Sequence, residues 1–458
     1  MFSLHLLSLL LLPALVASAP SQATQQACKE LSKALPNHVS FPLSINYHSL
    51  SSEYWSTVLH DIKPACIVVA ESALDVSSAV KILQKYPTVK FTAKSGGHDP
   101  NAGHATVADG VLISLAEMKG ATYDRSKNLA YVRPGGEWND VISALQKEGV
   151  TVVGGRLVAA NGTIVHIDAQ KQPELAVALR GSGSQFGQSA LSGIATQYTV
   201  RAYPIGKVWG GMRIYDDSKT DEIFQSLHEF IPYNNKDQKA AIIVTNLIAI
   251  GSIRAFILFF FYDAEIPPTS GPFADFLEID SLIDMTKTQT YPELTTTIPY
   301  IAGNPGIYAE ISAKFREITK TYFKNPLNLA SQCSVDFQPL AAVVGKHTED
   351  RGGNAMGLTT RDPDRVILEI QCAWTDKKYD ALLPQFSREL TSWVESKIPE
   401  WLSGEQEPEN IYLPLFMNDA MADQNVTGSY RDYAKFKALQ VQADPEGILA
   451  SRTGGFKY

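Results

Sequence analysis

The chain has 458 residues, 45% of them hydrophobic and 19% charged, a composition that builds packed cores and suffices for two domains, so disorder is excluded as the default. Its formal net charge of −8 supplies no basic field for phosphate, which argues against nucleic acid as a partner. The four cysteines, at 28, 66, 333 and 372, include no close pair, so metal spacing of the CxxC type is absent and disulfides are the better reading.

At the N-terminus, Leu6 to Leu12 followed by Pro13 and Ala17-Ser18-Ala19 is similar to a signal-peptide core with a small-residue cleavage site, too short to span a bilayer. Residues 1–19 are read as a leader, and the mature chain as secreted or in the secretory pathway. No Lys or Arg precedes the apolar run and Pro20 follows the cut, which keeps a retained apolar N-terminus as the alternative. Val76, Ala79, Val80 and Leu83 then recur at helical spacing behind Asp75 as N-cap, and the pattern stops at Pro87. A strand follows, in which Val89, Phe91 and Ala93 alternate with Lys90, Thr92 and Lys94, the period of a half-buried strand.

Trp138, Val141, Ile142 and Leu145 predict a helix with Gly149 at C′ and a strand over Val150–Val153; Glu137 and Trp138 read as structural. Another helix opens at Pro173 and runs through Leu179 into Gly181-Ser182-Gly183-Ser184-Gln185-Phe186-Gly187. That spacing follows a helix instead of a strand, so it is a helix-ending turn and not a dinucleotide loop. From Lys207 the apolar runs lengthen. Ile242–Ile250 and Ile253–Tyr262 predict adjacent antiparallel strands, because Asn246, Ser252 and Arg254 interrupt the run at positions costly for a membrane helix. Asn161-Gly162-Thr163 and Asn425-Val426-Thr427 are glycosylation sequons.

The chemistry concentrates where the Val89–Lys94 strand ends, in Lys94-Ser95-Gly96-Gly97-His98-Asp99-Pro100-Asn101-Ala102-Gly103-His104. Glycine permits positive φ and lets consecutive backbone N–H groups converge on phosphate oxygens, while Lys94 adds a positive charge. The run has neither Walker A nor G-x-G-x-x-G spacing, so on these residues alone a plain Gly-Gly turn with a surface histidine stands beside a cofactor loop. Asp99 is expected to form an Asx-turn, and His104 either approaches a cofactor or caps the turn.

This segment resembles the flavin-attachment loop of the berberine bridge enzyme-like oxidoreductases, a branch of the vanillyl alcohol oxidase superfamily with a PCMH-type FAD-binding domain, and the likeness is closest to fungal members. Agreement continues in Asp109–Leu115, Val132–Trp138 and Asn161–Ile164, and resumes in Asn418-Asp419-Ala420, Asp444–Gly447 and Gly454-Gly455-Phe456-Lys457. The resemblance implies an α+β fold. Residues 20–206 would form the FAD-binding domain and residues 207–405 a substrate domain with an antiparallel sheet covered by helices on one face, with residues 406–458 returning to the flavin domain. It also implies that Cys28 pairs with Cys66, leaving Cys333 and Cys372 as buried thiols or a second bridge.

On the same resemblance, His98 bonds covalently to the 8α-methyl of FAD, and Lys94, Ser95, Gly96, Gly97, Asp99, Gly103, His104, Gly154, Gly155, Ile194 and Asn418 complete the cofactor site. The implied activity is that of a monomeric, non-membrane oxidase. A small secondary metabolite, such as a polyketide alcohol, phenol or activated C–H compound, gives hydride to flavin N5, and O₂ reoxidises the flavin. Three departures bear on this. Arg156 runs directly into Leu157, where relatives carry a long glycine-rich stretch; Gln188–Gly193 is inserted before Ile194; and Phe416 replaces a tyrosine that serves relatives as base or substrate contact, leaving the base unassigned. A degenerate, non-catalytic binding protein and a carbohydrate oxidase are the alternatives.

Overall fold

The computed structural model describes residues 19–152, 167, 169–181, 194–249, 253–289, 297–300, 304–323, 331–374, 376–404 and 411–458. Gly154 and Gly155, the Arg156–Leu157 join, the Asn161 sequon, the insert Gln188–Gly193 and the leader up to Ser18 lie outside the described residues.

Three sheets organise the rest. The first contains β1 (Val39–Ser40), β2 (Cys66–Val69), β3 (Lys90–Lys94) and β4 (Gly110–Ser114) in the order β1-β2-β4-β3, with β4 parallel to both its neighbours. Helices α1 (Gln22–Ala34), α2 (Ile45–Leu50) and α3 (Ala73–Gln84) enclose it. Leu31, Val76, Val80 and Leu83 pack on Val68, Phe91, Val111 and Ile113 on one face, and Tyr47 and Leu50 pack on Ile67 and Leu112 on the other. Covered on both faces, β4 is buried along its whole length, as its uninterrupted Val-Leu-Ile run requires. The Cys28–Cys66 disulfide staples α1 to β2.

Two local expectations change. The N-cap of α3 is Ser72, not Asp75: the Ser72 hydroxyl accepts from the Asp75 amide, and the Asp75 carboxylate accepts from the Ser72 amide at 2.9 Å, a reciprocal capping box. Strand β3 is buried beyond its apolar positions, because Thr92 and Lys94 find backbone carbonyls to bond on the polar face, and hydrogen-bonded polar groups tolerate burial.

The second sheet, β5 (Ala121–Asp124), β6 (Leu129–Val132), β7 (Val150–Val152) and β8 (Tyr198–Pro204), is antiparallel in the order β5-β6-β8-β7. Helix α4 (Trp138–Gln146) packs on it through Trp138, Val141 and Leu145, and Gly149 makes the turn into β7 at φ +69°, two residues past the Lys147 C-cap. Helix α5 (Pro173–Leu179) begins at its proline as predicted.

The third and largest sheet is antiparallel throughout. It comprises β9 (Val208–Asp216), β10 (Ala240–Ala249), β11 (Ile253–Tyr262), β12 (Ile283–Asp284), β13 (Lys287–Gln289), β14 (Thr297–Pro299), β15 (Ser331–Leu340) and β16 (Arg365–Trp374), ordered β12-β9-β11-β10-β15-β16-β14 with β13 also on β9. The two long apolar runs are its β10–β11 pair, with Ala249 opposite Ile253. Helices α6 (Thr220–Tyr233), α7 (Pro272–Glu278) and α8 (Ile307–Tyr322) and, beyond the short α9 (Val343–Asp350), α10 (Leu382–Trp401) cover one face. Ile242, Val244, Ile248, Val335 and Phe337 point into that covered core, so the alternate residues of β10 and β15 line the opposite face. Cys333 and Cys372 sit directly opposite in the β15–β16 register and form the second disulfide.

The chain end ties these parts together. Helix α11 (Tyr433–Ala443) is followed by α12 (Ile448–Arg452), whose Leu449 enters the first core while the Arg452 guanidinium donates to the Leu83 and Val89 carbonyls at 2.8 Å each. Asp362, 5% exposed, pairs with Arg365 at 2.9 Å and with Arg431 at 2.8 Å, and the Arg431 guanidinium lies 3.9 Å over the Tyr412 ring. Burial alone would push the Asp362 carboxyl up; the hydrogen bonds from Arg431 and the Thr359 amide, with the Arg365 charge, overcome this and hold it below the usual range. Because the folded-state value is depressed, this carboxylate contributes stability above the ordinary carboxylate range and loses it as pH falls through the folded value. Asp362→Asn is expected to cost about 3–5 kcal/mol at pH 7 by leaving buried guanidinium charge uncompensated. In urea melts, the gap to the parent should close on acidification below about pH 4.

Candidate active site

At the carboxyl end of β3 the chain turns through Gly97 at φ +70°, where an added Cβ would lie 2.7 Å from the Glu53 carbonyl oxygen, so only glycine fits. The turn leaves the amides of Gly96, Gly97 and His98 with no hydrogen-bond acceptor among the described residues. Successive amides free in one bend form an anion-binding concavity. Gly96 is exposed and lies beside Glu137 at the N-terminal end of α4, 3.7 Å from an added Cβ to Glu137 Cγ, and Ser95 is half-buried next to it. The imidazole of His98 is exposed and stacks on the Trp55 indole, with ring centroids 5.2 Å apart and planes 8° from parallel.

The two histidines of the loop differ in surroundings. His104 Nδ1 is 2.8 Å from Asp99 Oδ2, its ring meets the Phe456 ring edge-on at 5.2 Å, and its side chain is 10% exposed. Asp99 Oδ1 accepts from the Asn101 amide at 2.9 Å, the Asx-turn expected of it. Burial would raise the Asp99 carboxyl, but its hydrogen bond with His104, the His104 charge and the Asn101 amide hold it below the usual carboxylate range. His104 and Asp99 thus anchor the loop, and His98 is left facing outward.

Lys94 departs from the expectation of a phosphate-facing charge. Its Nζ donates to the Leu50 and Glu53 carbonyls at 2.7 and 2.8 Å and lies 4.3 Å over the Tyr54 ring, and burial pushes its ammonium down to about 8. The side chain fastens residues 50–54 beneath the loop, because α2 and its following turn cover this face of β3. Ile194 is likewise 1% exposed, with its side chain in the first core.

Two long-range contacts fix the loop. Asn101 clasps the segment after α10: its Nδ2 donates to the Ala420 carbonyl at 3.0 Å and its Oδ1 accepts from the Ala422 amide at 2.8 Å. This clasp holds the turn at Met417–Asp419, with Asn418 exposed on it, against the His98 loop. Gly454 packs so closely on the Gly103 backbone, itself at φ +82°, that a Cβ would overlap the Gly103 carbonyl. Gly454→Ala is therefore expected to displace the loop and cut bound flavin several-fold although it lies far away in sequence, measured as absorbance per chain in purified protein. Unchanged flavin content would show that this packing does not shape the site.

Sequence reading missed Asp336. It stands at the centre of β15 on the face away from the covering helices, opposite Thr245 of β10 and Glu369 of β16, 6% exposed, with Oδ1 lacking a hydrogen-bond partner among the described residues. Burial pushes its carboxyl up to about 7, the Thr245 and Ser334 hydroxyls temper the rise, and the negative charge of Asp419 adds to it. The Asp419 effect puts Asp336 within electrostatic reach of the turn that Asn101 ties to the His98 loop. The signal was present as a polar face, Ser334, Asp336 and Gln338, alternating with Cys333, Val335 and Phe337. A buried carboxyl raised towards neutrality is a suitable proton acceptor.

Comparison with known proteins agrees with this geometry. The family model for an FAD binding domain matches residues 64–164, which span β2 to β7 and include the whole glycine-histidine loop. The chain is 28% identical over 475 aligned residues to an uncharacterized FAD-linked oxidoreductase of Arthroderma benhamiae, covering 92% of each chain. It is 24% identical to a bifunctional solanapyrone synthase of Alternaria solani, over 94% of this chain and 86% of that protein. Its fold superposes on the crystal structure of berberine bridge enzyme from Eschscholzia californica with a TM-score of 0.66 at 13% identity, covering 94% and 98% of the two chains. The chain thus carries an FAD-binding domain, is similar along most of its length to an FAD-linked oxidoreductase, and shares the fold of berberine bridge enzyme.

Proposed function

We propose that this protein oxidises a small, largely apolar metabolite, with FAD tethered through His98 and with Asp336 as the base. The observation that carries the reading is the buried Asp336 carboxyl at the centre of β15, on the sheet face away from the covering helices and within electrostatic reach of Asp419 on the turn clasped to the His98 loop. Bound FAD supplies a two-electron acceptor at N5 whose return to the oxidised state consumes O₂ and yields peroxide. The free amides of Gly96, Gly97 and His98 bind the pyrophosphate, and Asn418 offers an amide near the ring. Ionised Asp336 accepts the proton of a substrate O–H, phenol or activated C–H as hydride leaves the adjacent carbon, taking the part that Phe416 is unable to play.

Ile243, Leu247, Ile257 and Phe259, half-buried on the same face of the sheet as Asp336, favour an apolar ring or chain over a sugar. The name of the Alternaria relative supports a secondary metabolite. A binding protein that had lost catalysis would have no reason to keep a buried carboxyl with one oxygen unpartnered among the described residues, since burying it costs stability. Both disulfides support passage through an oxidising compartment.

The test is direct. The mature chain, precipitated with acid, should give a yellow pellet, and under air it should release peroxide with some member of a panel of benzylic alcohols and phenols but not with glucose. A colourless pellet and supernatant would favour the binding-protein alternative, and peroxide from glucose alone would favour the carbohydrate oxidase.

A further inference from the structure

Trp55 has no part in the function proposed above. It is 69% exposed, so the core does not hold it in place, yet its ring lies parallel to that of exposed His98 in the bend. Its backbone N–H donates to the Gly97 carbonyl at 3.0 Å, which fixes the indole to the same turn that carries the imidazole. Glu53 and Tyr54, immediately before it, are held by Lys94 from beneath. Residues 53–55 therefore form a rigid shelf whose outer end is a flat aromatic face under His98.

We infer that Trp55 is a positioning residue for covalent flavin attachment: it holds the His98 imidazole in the plane from which a ring nitrogen reaches the 8α carbon of FAD. This rests on the His98 tether of the proposed function. In the attachment step a bond forms between that nitrogen and the 8α carbon. The imidazole N–H proton and one 8α proton are lost, and two electrons are left on the flavin ring, which O₂ removes as peroxide. An exposed imidazole without a stacking partner samples several rotamers, and only a fraction of them point a nitrogen at the methyl carbon. Stacking on the indole restricts that freedom before the bond forms, a gain in orientation and not in chemical reactivity. Trp55 buries little surface, so its removal leaves the fold intact.

The experiment uses full-length apoprotein prepared without flavin, mixed with excess FAD in air. Total bound flavin is measured after gel filtration, and covalent flavin after acid precipitation, both against time. Trp55→Ala should bind FAD to the same extent as the parent but form acid-stable flavin about tenfold more slowly, whereas Trp55→Phe, which keeps a ring, should attach flavin within about twofold of the parent rate. If Trp55→Ala attaches flavin at the parent rate, or loses total and covalent flavin in equal proportion, the positioning role is overturned while the His98 tether stands. If the parent itself forms no acid-stable flavin, the tether falls, and the role of Trp55 with it.

Discussion

His98→Ala protein is expected to fold, to bind FAD reversibly and to lose all acid-stable flavin, a drop from about one per chain to none. Nothing else in the loop takes over the attachment. His104 is the other imidazole within reach, but its Nδ1 is engaged by Asp99, its ring packs on Phe456 and its side chain is largely buried. Exposed His98 makes no side-chain hydrogen bond among the described residues, so its removal disturbs chiefly the stack on Trp55. The matched control is His104→Ala, which should lower flavin content by loosening the loop while leaving whatever flavin remains acid-stable. The reverse pattern, with acid-stable flavin in His98→Ala and none in His104→Ala, would exchange the roles assigned to the two residues.

Asp336→Asn should lower kcat by about 10²–10⁴-fold with flavin content unchanged. Asparagine keeps the size and polarity of the side chain and is unable to accept the proton. In the parent, the rate should rise with pH through a value near 7, because burial and the charge of Asp419 raise the carboxyl to about 7 and only its ionised form acts as base. The variant should lack that limb. Stability should move the other way. The folded-state value lies above the unfolded one, near 4, so the folded chain binds more protons over that interval and the parent loses stability as pH rises from about 4 to about 7. Asp336→Asn escapes this cost and should therefore unfold at a higher temperature than the parent at pH 8, with the difference shrinking towards pH 4. Loss of rate with gain of stability marks a residue kept for chemistry; loss of both would make Asp336 a structural carboxyl.

How far the sequence could be read follows from which contacts are local. The β10–β11 pair was legible because two ten-residue apolar runs with a short interruption leave little choice but a hairpin. The loop at His98 was legible because strand, glycines and imidazole are adjacent, and the Asp99 turn needs only Asn101 two residues on. Lys94 misled because its charge is visible in the sequence, whereas the carbonyls of Leu50 and Glu53 that capture it belong to a segment more than forty residues earlier. Asp336 was passed over for the same reason: it is buried in a strand paired with Thr245, and the charge acting on it belongs to Asp419 over eighty residues away, so its surroundings existed only after folding. The second disulfide could not be chosen from spacing, since only the β15–β16 register puts Cys333 opposite Cys372.

The tether is tested most directly by mass. Trypsin releases the peptide Ser95–Lys119, which carries both His98 and His104. In native protein this peptide should appear heavier by FAD less two hydrogens, with fragment ions placing the added mass on His98. An unmodified peptide from flavin-bearing protein, or the mass on His104, would contradict the account.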